Sequence, residues 1–366
     1  MDEKIKQLDL AIYNIAEKVE KNILNYINPT NSKKQKDLFF ESINKHNYEQ
    51  PYFEYQKFDK QFIQKLKEEL LKIEKQLQKS KLEEYLKIKA SNLESELELI
   101  LSIDTKDFCK NSKKAYGKPS KKLITLSKEI LCKKFKNESR QKTIQIEQVK
   151  RELEKKMSDS NTGFSVIIDE QMSAKAAVNL NERKVKLNSN ALFSLKDINR
   201  LFVHEVETHV YRYLNGEKQT VKALAFGSGE DYLKTEEGLA LYNEKQTKVE
   251  SEEQEKKYAG RAIAVDYALK HDFFETFDYL NQFFDKEEAH AITQRVKRGI
   301  PYGSKGAFTK DYCYMDGFLQ INEETHKGLK IEELYVGKIC SKEIGLVKKI
   351  PGVKKASYLP TWLNSK

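Results

Sequence analysis

Two histidines, His204 and His209, stand five positions apart inside one apolar run. Around them, Leu201, Phe202, Val203, Val206, Val210, Tyr211 and Leu214 recur at the spacing of a mostly buried helix. A regular α-helix turns by about 100° per residue, so an i, i+5 pair is separated by about 500° and its rings point roughly 140° apart. Such rings cannot meet one ion. A single π-type turn, bonded i to i+5, returns both to the same side, and such bulges gather at functional sites. The spacing therefore predicts a π-bulge within 204–209.

Imidazole and carboxylate are ordinary zinc ligands, and a site with three protein ligands leaves its fourth position to water. The chain has only 6 histidines, and two of them are here. Glu205, directly after the first, is placed to deprotonate that water. The third ligand comes from Thr235-Glu236-Glu237-Gly238-Leu239-Ala240, with Glu237 preferred over Glu236. Without a metal these would be core histidines hydrogen-bonded to neighbours, or a bland acid in the first turn of a helix. Ser194, with Asp197 three residues on, reads as the cap of the metal helix, and Asn215-Gly216 as its stop. Thr235 reads as the cap of a helix over 235–246. The small residues after Glu237 would let that helix approach the metal helix closely.

These residues resemble the metallopeptidases that include the microtubule-associated tyrosine carboxypeptidases and their bacterial relatives with a Gln-Glu-Gly-Leu-Ala motif. The likeness rests on His204-Glu205-x-x-x-His209 and Glu236-Glu237-Gly238-Leu239-Ala240. It extends to Arg295-Val296-Lys297-Arg298-Gly299 and to Phe308-Thr309-Lys310-Asp311-x-x-Tyr314-x-x-Gly317. Asn28-Pro29-x-Asn31, followed by Phe39 and Phe40, suggests that the N-terminal half belongs too. The resemblance implies one zinc per chain on His204, His209 and Glu237, Glu205 as catalytic base, and a C-terminal tyrosine or phenylalanine as the residue removed. Two positions depart from the family pattern. Glu236 stands where the bacterial motif has glutamine, and Glu207 stands where a small residue is usual and adds negative charge near the metal.

A length of 366 residues allows one large domain or two, and a hydrophobic fraction of 39% suffices for a core at this size. A mean hydropathy of −0.72 and the lack of a long apolar run argue against a membrane span. The 4 cysteines, without CxxC spacing, read as free thiols of a cytoplasmic protein. The net charge of +10 is mostly lysine interleaved with glutamate on helices, a solvated pattern rather than a nucleic-acid platform, so no nucleic-acid partner is expected.

Helical periodicity covers 4–27, 58–79, 81–103, 120–136 and 143–157, while 32–56 reads as irregular and aromatic-rich. Ser158–Gly163 reads as a linker between a helical N-terminal region, 1–157, and a catalytic domain, 158–366. Strand-like stretches follow at Phe164–Ile168, Ala174–Leu180 and Lys184–Leu187, the last two paired as a hairpin about Asn181-Glu182-Arg183. Helices resume at 253–270, 272–284, 286–298 and 309–323. The expected fold class is mainly α (α+β), with a small antiparallel sheet and a π-bulged metal helix. Ala174–Leu180 is the candidate edge for an extended peptide substrate.

A carboxypeptidase also needs a cation for the terminal carboxylate of its substrate, and Arg295, Arg298 and Lys310 lie in the shared blocks. Tyr312 or Tyr314 would donate to the developing oxyanion. The leading reading is a zinc metallocarboxypeptidase acting on a peptide or protein C-terminus. The competing reading, from another class, is a regulatory or interaction protein with a structural or idle zinc. A third is an endopeptidase.

Overall fold

The first amphipathic run folds as a helix, Glu3–Ile27, which buries Leu8, Ile12, Ile15, Val19, Ile23 and Ile27. The structure, a computed structural model, describes residues 2–133, 143–170, 172 and 174–364. The first helix packs on Lys81–Leu101, which also carries Lys60–Glu74 on its flank. Ser80 and Glu83 start Lys81–Leu101 with a reciprocal capping box. The expected 120–136 helix is Lys121–Cys132, and positions 134–136 of that expectation lie outside the described residues.

Residues 32–56 are not wholly irregular, because Ser32–Asn44 is a helix. Its apolar residues, Leu38, Phe39, Phe40 and Ile43, are bunched at one end rather than spaced at helical intervals. Phe39 supplies its anchor, buried edge-on against Phe273 and Phe277.

Three strands, β1 (Ser165–Asp169), β2 (Ala176–Asn179) and β3 (Lys184–Asn188), form a sheet ordered β1-β3-β2. β2 and β3 make the expected hairpin, in register Val178↔Val185, with Arg183 at φ 51° in its turn. β1 pairs parallel to β3, so the sheet is mixed rather than antiparallel. β3 returns into the space between the two earlier strands, which buries Val185 and Leu187 and leaves β2 as an edge.

The core falls into two clusters, and each takes residues from both sides of position 158. One joins Leu8, Leu86 and Ile100 to Val206, Leu214 and Tyr335. The other joins Phe39 and Leu123 to Ala262, Phe277, Val296 and Tyr312. Among the described residues, no helix is long and apolar enough to cross a membrane.

Candidate metal centre

Ser194 caps the metal helix and Asp197 closes the capping box, as the sequence predicts. The backbone is α-helical over Leu195–Leu201, π-helical over Phe202–Val210 and α-helical again over Tyr211–Glu217. Thr208 Oγ1 donates to the carbonyl of Val203, five residues back, at 3.0 Å. The widened turn swings both imidazoles to one side, their centroids 5.1 Å apart. The helix runs past Asn215-Gly216, so this pair is not its stop. Gly216 instead lets Leu224 and Ala225 lie against the helix, where a Cβ would collide with their backbone.

Glu237 supplies the third corner. Its Oε2 lies 3.7 Å from His204 Nε2 and 3.9 Å from His209 Nε2. One donor atom from each of the three residues falls within 4.8 Å of the others. The helix that carries Glu237 is Glu230–Gln246, so Thr235 is not its cap. Gly229, at φ 81°, precedes it, and Glu230 and Asp231 fill its acidic first turn. The Thr235 hydroxyl accepts from the Ser341 amide instead, at 3.2 Å. Gly238 does allow a close helix approach, but to Cys313–His326 rather than to the metal helix. A Cβ on Gly238 would strike the backbone of Gly317, and one on Gly317 would strike the carbonyl of Lys234. Successive helical residues point about 100° apart, so Glu237 and Gly238 face different neighbours.

Each histidine is held from behind by a carboxylate. Glu244 Oε1 lies 2.7 Å from His204 Nδ1, and Glu236 Oε1 lies 2.7 Å from His209 Nδ1. A neutral imidazole that donates Nδ1–H to such a partner presents the lone pair of Nε2 to the site. Glu236 also receives Arg212 and Lys338. Burial opposes its charge, but Arg212, Lys338 and His209 outweigh burial and hold it well below the usual carboxylate range. Glu237 is half-buried, and although desolvation opposes its charge the two imidazoles hold its pKa down. Its Oε2 is buried without a hydrogen-bond donor. A donorless, buried carboxylate oxygen facing two Nε2 atoms fits a soft or borderline divalent cation.

Glu205 is 8% exposed and has no hydrogen bond or ion pair among the described residues. The Glu207 carboxylate is fully buried and accepts the Thr361 amide at 3.0 Å, so it is engaged by the C-terminal segment. Burial raises its pKa.

The other expected site residues divide. Arg295 grips Asp311 with both prongs, Nε at 2.6 Å and Nη2 at 3.1 Å. Burial works against the Asp311 carboxylate, but Arg295 and Arg298 hold it far below its ordinary value. Arg298 donates to Asn28 Oδ1 at 2.6 Å and lies over Phe308, which ties the Asn28-Pro29 motif to this cluster. Burial, then Arg295, depress Arg298 to about 10. Lys310 has no ion pair among the described residues and sits 6.0 Å from the Tyr116 ring. The Tyr312 hydroxyl is committed to Glu230 at 2.7 Å. Tyr314 has no such bond among the described residues, and its ring stacks on Tyr258 at 4.8 Å. A cavity of about 470 Å³ adjoins the site, lined by Leu241, Glu244, Tyr258, Met315 and Phe318.

Glu244, Arg212, Lys338, Tyr258 and Arg261 escaped the sequence reading. Glu244 carried a usable signal, since it lies two helical turns after Glu237 and so on the same face. Arg261 had none, because Glu252–Ala268 reads as an ordinary helix.

Fold and site together define a mainly helical protein whose π-helical segment and a second helix converge two histidines and a glutamate on one candidate metal position. The chain belongs to the microtubule-associated tyrosine carboxypeptidase family, whose profile matches residues 38–366. Family membership implies a carboxypeptidase and therefore a peptide or protein substrate. No individual curated protein matches the chain.

Proposed function

We propose that this protein is a zinc-dependent carboxypeptidase that removes a C-terminal tyrosine or phenylalanine from a peptide or protein. The observation that carries the reading is the convergence of His204, His209 and the donorless Glu237 oxygen, with a carboxylate behind each imidazole. Nitrogen-rich donors of this kind suit zinc better than magnesium or calcium, which seek oxygen. Bound there, zinc would polarise a scissile carbonyl and lower the pKa of a water toward ~7.

The chain supplies the rest. Glu205, with no hydrogen bond or ion pair among the described residues, accepts a proton from the attacking water on its carboxylate and returns it to the leaving amine. The Tyr314 hydroxyl donates to the carbonyl oxygen as charge grows there. The substrate lies extended beside β2, the edge strand that packs against the metal helix. Lys310, with no ion pair among the described residues, adds positive field for its terminal carboxylate, and Arg295 and Arg298 together leave one net charge beside Asp311. The free cysteines suit a reducing, cytoplasmic setting.

The test is release of the last residue from a peptide ending in tyrosine, compared with its C-terminal amide. The free acid is expected to be cut and the amide to resist. Cleavage of internal bonds in both would make the enzyme an endopeptidase. Absence of turnover in metal-replete protein would favour an interaction role.

A further inference from the structure

Arg261 shares the field of Asp311 with Arg295 and Arg298 but forms no ion pair of its own among the described residues. Its guanidinium carbon lies 5.2 Å from the Tyr258 ring and 5.3 Å from the Tyr314 ring. These rings stack on each other at 4.8 Å with only 9° between their planes. Its Nε is buried with no hydrogen-bond acceptor, and it has no ion pair among the described residues. A buried guanidinium N–H without an acceptor is costly, because it has given up water without gaining a hydrogen bond in exchange. Tyr258 lines the cavity beside the metal position together with Glu244, the carboxylate behind His204. Tyr258 lies in the field of His204 and Glu244, and Tyr314 lies in the field of Glu237.

Arg295 already has its acceptor, because Asp311 occupies both prongs of its fork. Arg298 Nε is also buried without an acceptor, but its guanidinium is engaged elsewhere, bound to Asn28 and 3.9 Å from Asp311. Lys310 has no ion pair among the described residues, but an ammonium offers no planar fork to fix a carboxylate's orientation.

We propose that Arg261 receives the α-carboxylate of the substrate's C-terminal residue, with the Tyr258–Tyr314 pair fixing the plane of its guanidinium. This assignment rests on the carboxypeptidase reading above. It makes Arg261 the residue that distinguishes a free C-terminus from an internal peptide bond. Asp311, Arg295 and Arg298 are then a buried frame that holds the neighbouring chain in place.

The experiment uses the full chain in a Glu205→Gln background, so that binding is read without cleavage. A short peptide ending in tyrosine and its C-terminal amide are titrated by calorimetry, with metal content measured alongside. The Arg261-intact chain should bind the free acid about 30-fold or more tighter than the amide, the lower end of what stranding a desolvated charge costs. Arg261→Ala should bring the two affinities nearly together with metal content unchanged. Arg261→Gln, which keeps the stem over the two rings, replaces it if the alanine chain does not fold, and it should behave the same way. Retention of the acid preference in the Arg261 variant overturns the assignment. Loss of the preference in Lys310→Ala alone overturns it in favour of Lys310. Absence of any acid preference in the Arg261-intact chain overturns the carboxypeptidase reading, and this inference falls with it.

Discussion

The Glu244 carboxylate meets Nδ1 of His204 at 2.7 Å, although the two residues stand 40 positions apart in the chain. Arg200 approaches the same carboxylate oxygen at 3.5 Å, so its charge is shared rather than stranded. The contact fixes the ring's orientation and presents its other nitrogen to Glu237. Glu236 does the same for His209. Protein contacts therefore hold both imidazoles from behind, and each of these contacts can be removed separately.

Metal content is the first expectation. Purified protein should carry one zinc per chain, and the double substitution His204→Ala, His209→Ala should carry none at this site. Chelation should lower the melting temperature of the wild type, because a ligand that binds only the folded state stabilises it. Elemental analysis decides the point, and full zinc occupancy in the double mutant would refute the assignment.

Glu205→Gln should separate holding the metal from using it. The amide keeps the volume of the side chain but cannot take a proton. Zinc content and melting temperature should stay near wild type, while peptide hydrolysis falls by about 10²–10⁴-fold. A hydrolysis rate equal to wild type, with contaminating protease excluded, would remove Glu205 from the mechanism.

The two backing carboxylates should differ in what their loss costs. Glu244→Ala should weaken metal affinity by about 10–100-fold, measured by competition with a chelator. Glu236→Ala should do that and also destabilise the fold by about 3–5 kcal/mol, because it strands the buried charges of Arg212 and Lys338. Denaturant unfolding of the two variants makes the comparison. Similar stability for both would show that Arg212 and Lys338 find other partners.

Gly238 tests the helix contact that sets the position of Glu237. Gly238→Ala normally favours a helix, by about 1 kcal/mol. Here the added methyl meets the backbone of Gly317, which cannot yield as a side-chain end would. The variant should be destabilised by about 1–3 kcal/mol and bind zinc more weakly. A gain in stability would show that the two helices slide apart freely.

His290 should make the protein sensitive to acid at a distance from the site. It is 1% exposed, ringed by Phe39, Phe40 and Phe273, and its Nε2 has no partner. Burial, helped by Lys36, lowers its pKa from 6.5 to about 4. Between these values the unfolded chain binds a proton that the folded chain refuses. Stability from this residue is therefore present above pH 6.5 and is lost as pH falls toward 4. The loss between about pH 7 and about pH 5 should be about 2 kcal/mol. Other groups titrate in the same window, so the quantity to measure is the difference between the pH profiles of wild type and His290→Leu. Parallel profiles would show that His290 is not buried as a neutral ring.

Local geometry made the heart of this site legible in the sequence. Helical rotation is a property of neighbouring residues, so the spacing of His204 and His209 was enough to demand a π-helical turn, and Ser194 with Asp197 was enough to place the start of the helix. The order of motifs likewise pointed to Glu237 as the third member of the triad. Partner choice was decided elsewhere. Nothing local in the chain states that Asp311 occupies the fork of Arg295, that Glu207 turns to the Thr361 amide, or that Arg261 lies over two stacked tyrosines. The parallel pairing of β1 with β3 and the anchoring of Ser32–Asn44 by Phe39 belong to the same class. Periodicity reports which face of an element is apolar, but only packing against distant segments determines which charges are desolvated together, and so which are neutralised and which remain available to a substrate.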